Sequence, residues 1–193
     1  MMRASDLRYE RESRQHDLAI AMRAQGARLG TVVQWTGLAR YRVQSLARFY
    51  ESASPGDTRR RGISPSQTAF FSKSLRIESE SLAFALMAFE HDVIAADIED
   101  IVDVLPDVER GWRLIKAYET FVKMIPGVHI DLERAILLLG ELSRRNLLLR
   151  FCRTCPDPLL IDRLAEPRDR CPFCRGSGVL AMRSAVGAST QSL

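Results

Sequence analysis

The spacing of apolar positions predicts a chain that is helical over most of its length. Ser5 to Ala24 reads as one helix, with Leu7, Leu18 and Met22 as a thin apolar stripe and Gly26 as its stop. Leu29, Val32 and Val33 line a short second helix, and Val43, Leu46 and Tyr50, spaced three and four apart, line a third. Thr36-Gly37 makes the turn between them, because glycine tolerates a left-handed backbone. Two short helices about such a turn form a helix-turn-helix whose second helix exposes Arg40, Arg42, Gln44 and Arg48. Pro and Gly then interrupt the pattern in Ser54-Pro55-Gly56-Asp57, Arg59-Arg60-Arg61-Gly62 and Ser64-Pro65-Ser66. Helical spacing returns with Leu82, Leu86, Phe89 and Val93, and again with Leu114, Tyr118, Phe121 and Ile125, between Pro106 and the stop Pro126-Gly127. Asp131 is placed to cap a further helix through Ala135, Leu138 and Leu142. Past Arg144-Arg145 come three short β-like runs: Leu147-Leu148-Leu149, Leu159-Leu160-Ile161 and Gly178-Val179-Leu180-Ala181-Met182.

The expected fold class is therefore mainly α, a helical domain with an N-terminal helix-turn-helix-like segment and a small C-terminal zinc ribbon. Residues 1–53 form the helix-turn-helix-like region, 54–66 a linker, 67–146 a helical core and partner-binding region, 147–183 the ribbon and 184–193 a polar tail. Phe84, Met87 and Trp112 are expected in the core.

The ribbon rests on chemistry more than on periodicity. All four cysteines fall in two Cys-x-x-Cys pairs, Cys152-Arg153-Thr154-Cys155 and Cys171-Pro172-Phe173-Cys174, with fifteen residues between them. Two tight turns of this kind set four thiolates at the corners of a tetrahedron, which zinc accepts and which also suits iron. Two disulfides would need an oxidising compartment that nothing in the sequence marks. A thioredoxin-like redox pair lacks its βαβ context, and a zinc deaminase lacks its His-x-Glu. The expectation is one Zn2+ per chain on Cys152, Cys155, Cys171 and Cys174. Four sulfurs leave no open position for water or substrate, so the metal is structural.

Charge divides the chain in three. Lys and Arg outnumber Asp and Glu by 8 from Met1 to Arg76, fall short by 9 from Ile77 to Glu133, and lead by 5 from Arg134 to Leu193. Basic ends suit a polyanion such as double-stranded DNA, and an acidic middle suits a protein partner or solvent. The positive residues are almost all arginine, the exceptions being Lys73, Lys116 and Lys123. Arginine forks match phosphate and guanine edges, although genomic base composition produces the same excess. The candidate DNA-contacting residues are Arg28, Arg40, Arg42, Gln44 and Arg48, and Arg153, Arg168, Arg170 and Arg175 crowd the cysteine turns.

Other function classes find little support. The sequence has no glycine-rich phosphate loop and no Gly-x-Ser-x-Gly, and His16, His91 and His129 lie far apart without carboxylate mates. The expectation is a protein without catalysis or a small-molecule substrate. No run approaches the length of a membrane-spanning helix, and Met1-Met2-Arg3-Ala4-Ser5-Asp6 opens without the apolar core of a secretory signal, so a cytoplasmic location is expected.

Together these parts resemble one family, the flagellar transcriptional regulator FlhC. The resemblance is carried by Gly26-Ala27-Arg28-Leu29 running on through Thr36-Gly37-Leu38-Ala39-Arg40 to Leu46; by Ser54-Pro55 with Gly62, Pro65 and Phe70-Phe71; and by the two cysteine pairs after a helical middle. It implies a DNA-binding activator of flagellar genes that works in a hetero-oligomer with FlhD. The family's zinc ligands correspond to Cys152, Cys155, Cys171 and Cys174. Two features depart from the pattern: Pro156, which removes an amide from the first turn, and the strongly charged Arg59-Arg60-Arg61. The competing expectation is a zinc-ribbon assembly protein that joins other proteins without touching DNA.

Overall fold

A computed structural model describes residues 4–53, 65–94, 105–165 and 169–176. It is mainly helical. Helices α1 (Ala4–Ala24), α2 (Leu29–Thr36) and α3 (Arg40–Ala53) form the head. A 3-10 turn (Thr68–Ser72) and helices α4 (Leu75–Glu90), α5 (Val108–Met124) and α6 (Leu132–Ser143) form the body. Strands β1 (Leu147–Phe151) and β2 (Pro158–Asp162) pair antiparallel, and a short helix α7 (Pro172–Gly176) follows. The third β-like run and the tail lie outside the described residues, as do Arg59-Arg60-Arg61 and Arg168.

Local chemistry explains where the helices start and stop. Ser74, Asp107 and Asp131 are N-caps whose side chains accept from Ile77, Arg110 and Arg134 amides at 3.2, 2.9 and 2.8 Å, each satisfying one of the orphan donors of a first turn. Gly37 closes α2 with φ of 69°, its amide donating to Val33 O at 3.0 Å. Thr36 completes that turn: its hydroxyl donates to Val32 O and accepts from the Leu38 amide. Helix α3 runs to Ala53, beyond the Tyr50 that ends its apolar stripe.

One hydrophobic core joins the stretches that differ in sequence. Leu18, Met22, Val32, Trp35 and Val43 of the head are buried in the same cluster as Phe84, Leu114, Phe121 and Leu138 of the body and Leu147, Leu149 and Leu160 of the hairpin. Phe84 meets Phe121 edge to face with centroids 5.5 Å apart, and Tyr118 donates to Ile130 O at 3.2 Å. Helices α1 and α5 touch so closely at Gly111 that a Cβ there would lie 2.5 Å from a Leu18 methyl. Helix α4 departs from its expected stripe. Leu86 is 40% exposed while Ile77, Ser81, Phe84, Ala85 and Ala88 face inward.

The basic ends and the acidic middle partly meet inside the molecule. Glu133 of α6 accepts from the Arg28 amide at 2.7 Å and faces its guanidinium at 4.0 Å. Glu78 of α4, 1% exposed, pairs with Arg175 of α7. At the surface Arg14 of α1 reaches Glu109 of α5. Burial of a carboxylate is tolerated when it is paired and hydrogen-bonded, so part of the charge separation serves the chain's own packing.

Candidate functional site

The β1–β2 hairpin organises the cysteine cluster. The ladder runs from Leu147 opposite Asp162 to Phe151 opposite Pro158, and the first Cys-x-x-Cys pair lies in the loop that closes it, where the Cys152 amide donates to Asp157 O at 2.9 Å. Side chains alternate across a strand. One face therefore sends Leu147, Leu149 and Leu160 into the helical core, while Leu159 and Ile161 on the other pack with Cys152, Cys155, Cys171 and Cys174. The second pair differs from the turn expected of a ribbon: Cys171 precedes α7 and Cys174 lies within it.

The four sulfurs lie within 4.8 Å of one another. Cys155 Sγ is 3.5 Å from Cys171 Sγ and 3.4 Å from Cys174 Sγ. A tetrahedral metal with M–S bonds of about 2.3 Å needs sulfurs about 3.8 Å apart, and all four thiols are free. Amides aim at these sulfurs. Thr154 N and Cys171 N donate to Cys152 Sγ at 3.4 and 3.3 Å, and Cys174 N donates to Cys171 Sγ at 3.4 Å. Such donors stabilise thiolate and orient it toward a metal. Pro156 has no amide to give, and the Asp157 amide takes its place, donating to Cys155.

The electrostatics of the cluster favour a cation. Burial works to raise the Cys152 thiol, but the amides of Cys171, Thr154 and Cys155 outweigh it and bring it down to about 6. At Cys155 the Asp157 amide favours thiolate, while burial and hydrogen bonds with Cys174, the Asp157 carboxylate and Cys171 prevail and push the thiol up. Cys174 gains from Cys155 but is raised by burial and by Cys171 and Cys152. Four crowded sulfurs cannot all ionise together without a positive charge among them. The cluster can therefore hold a metal ion, with its coordination filled by sulfur.

Not all the arginines near the knuckles face outward. Arg153 and Arg170 are exposed. Arg175 is committed to Glu78, and its Nε donates to Arg170 O at 3.1 Å. Phe151 and Phe173 are 55% and 67% exposed beside the cysteines.

In the head, α1, α2 and α3 pack on one another, and Val43, Leu46 and Ala47 turn α3 toward the core. Arg40, Gln44 and Arg48 recur every fourth residue and form one exposed line along the flank of the helix. Tyr41 and Ser45 form an exposed line beside it. One of the candidate contacts lies elsewhere. Arg28 caps the start of α2 and is held by Glu133. Arg42 is exposed on α3, as the sequence predicts. Its Nε donates to Tyr41 Oη at 3.4 Å, and Tyr41 and, further off, Glu12 of α1 favour its charged form.

Among the described residues no helix is long and apolar enough to cross a membrane. No protein-family model matches the chain, and no curated protein matches it.

Proposed function

We propose that the chain is a DNA-binding transcriptional activator of the FlhC kind, acting on flagellar genes from the cytoplasm in a hetero-oligomer with an FlhD-like protein, with no catalysis of its own. The observation that carries the reading is the line Arg40–Gln44–Arg48 along the exposed side of α3, directly after a three-residue turn. Residues near the N-terminus of such a helix meet base edges in the major groove. Arginine pairs with guanine and glutamine with adenine, while an arginine two turns further on suits phosphate. In this reading the cluster holds one structural Zn2+ through Cys152, Cys155, Cys171 and Cys174, fixing α7 against the hairpin.

The test is a mobility shift of the full-length chain, co-expressed with an FlhD-like partner, on promoter and random duplexes at several salt concentrations. Promoter binding that exceeds random binding and weakens with salt supports the reading. The competing role, a metal-stabilised assembly protein, draws on the exposed rings of Phe151 and Phe173. It predicts partner binding with no salt-dependent shift of any duplex.

A further inference from the structure

We propose that Tyr41 reads a thymine methyl group in the major groove, next to the bases met by Arg40 and Gln44. The inference rests on the DNA-binding reading and adds to it a preference for one base.

Tyr41 is the second residue of α3 and is 68% exposed, a large aromatic ring left in water. Its neighbours on that face are polar or cationic: Arg40, Gln44, Ser45 and Arg48. Those cations match a polyanion in charge, and duplex DNA is the polyanion an α-helix can enter. In its major groove the base edges offer donors and acceptors, and thymine alone adds an apolar carbon, its C5-methyl. A ring at the N-terminal end of the helix, on the line it shares with Ser45 and beside the line that carries arginine, lies where that methyl is met. Arg42, whose Nε donates to the Tyr41 hydroxyl, is a positioning residue that holds the ring.

The full-length chain with its co-purified partner selects bound sequences from a randomised duplex pool. The winning duplex is then remade one thymine at a time with deoxyuridine, which lacks only the methyl. The expected result is one position where uracil lowers affinity about fourfold, the worth of one buried carbon. Tyr41→Ala lowers affinity to a similar extent and becomes indifferent to uracil there, whereas Tyr41→Phe, which keeps the ring and loses only the bond to Arg42, retains most of the dependence. Indifference of the unaltered protein to every uracil overturns the proposal while leaving DNA binding intact. So does a Tyr41→Ala variant that still feels the methyl, or one that loses its partner while the methyl dependence persists, which makes Tyr41 a protein contact. Failure of the unaltered complex to bind any duplex overturns the DNA-binding reading itself.

Discussion

Arg175, one residue past a cysteine of the cluster, reaches back to Glu78, a carboxylate buried in α4. The cysteine knuckle is thereby tied to the body by charge as well as by packing. Replacing Arg175 by Met leaves a buried acceptor short of a donor, which costs about 1–3 kcal/mol. We expect a lower melting temperature for the metal-loaded protein and, because α7 is held less firmly, faster loss of the bound metal to a chelator. A variant that keeps both values unchanged would show the pair to be incidental.

Removal of the metal should act on one face of the hairpin. Leu159 and Ile161 pack on the cysteines, whereas Leu147, Leu149 and Leu160 belong to the helical core. Chelation or Cys171→Ser is expected to take the bound metal from one per chain to none and to release α7, with little change in helical circular dichroism. Metal analysis and far-ultraviolet spectra check this. Loss of most helical signal would mean that the core depends on the metal.

Glu80 predicts the acid limb of stability. Burial opposes its ionisation, but His129, through ring and amide, and Arg76 prevail and hold it below its ordinary 4.5. His129 N donates to Glu80 Oε2 at 2.8 Å, its Nδ1 lies 3.0 Å from Oε1, and Arg76 Nε donates to Oε1 at 3.1 Å. A depressed carboxylate contributes stability that is complete above its unfolded value and is lost as pH falls through the folded one. Glu80→Gln should therefore be less stable than the parent at neutral pH, the gap closing as pH drops below about 4.5. Melts of both proteins across the acid range give the difference, and metal loss in acid affects the two alike.

The arginines of α3 should separate by position. Arg40→Ala is expected to lower promoter affinity on the order of tenfold and random-duplex affinity much less. Arg48→Ala should weaken both alike and flatten the salt dependence. Arg42→Ala should act weakly, through the ring of Tyr41 alone. Equal effects of all three on every duplex would assign the whole face to phosphate.

Gly111→Ala inverts the usual rule. Alanine gains up to about 1 kcal/mol over glycine inside a helix. Here its methyl would press on Leu18, a side chain with no exposed surface, and overpacking costs about 1–3 kcal/mol. Denaturant unfolding should show a net loss of stability, and a gain would mean that Leu18 has room to turn.

What could be read from the chain follows from how local each signal is. The Gly37 turn, the Asp131 cap and the cysteine pairs are written within a few residues, and they are where the sequence places them. The core face of α4 was misjudged at Leu86 because a single stripe assumes a single neighbour. This helix packs against α5, α6, α7, β2 and the 3-10 turn. The burial of Glu78 and Glu133 is not legible in the sequence, because their partners, Arg175 and Arg28, come from opposite ends of the chain. Arg28 was named by residue type, which says nothing of the α6 carboxylate that claims it.

Helix α3 is anchored through Val43 in the cluster that also holds Phe84 and Leu138. Its angle is therefore set during folding, before any target arrives. If α3 meets DNA as proposed, the entropy of displaced counterions would not be offset by ordering of the head, and the heat-capacity change of association would reflect only surface dried at the contact. The same anchoring works in reverse. A ligand gripping α3 should raise the melting point of the whole helical body, because head and body share one core.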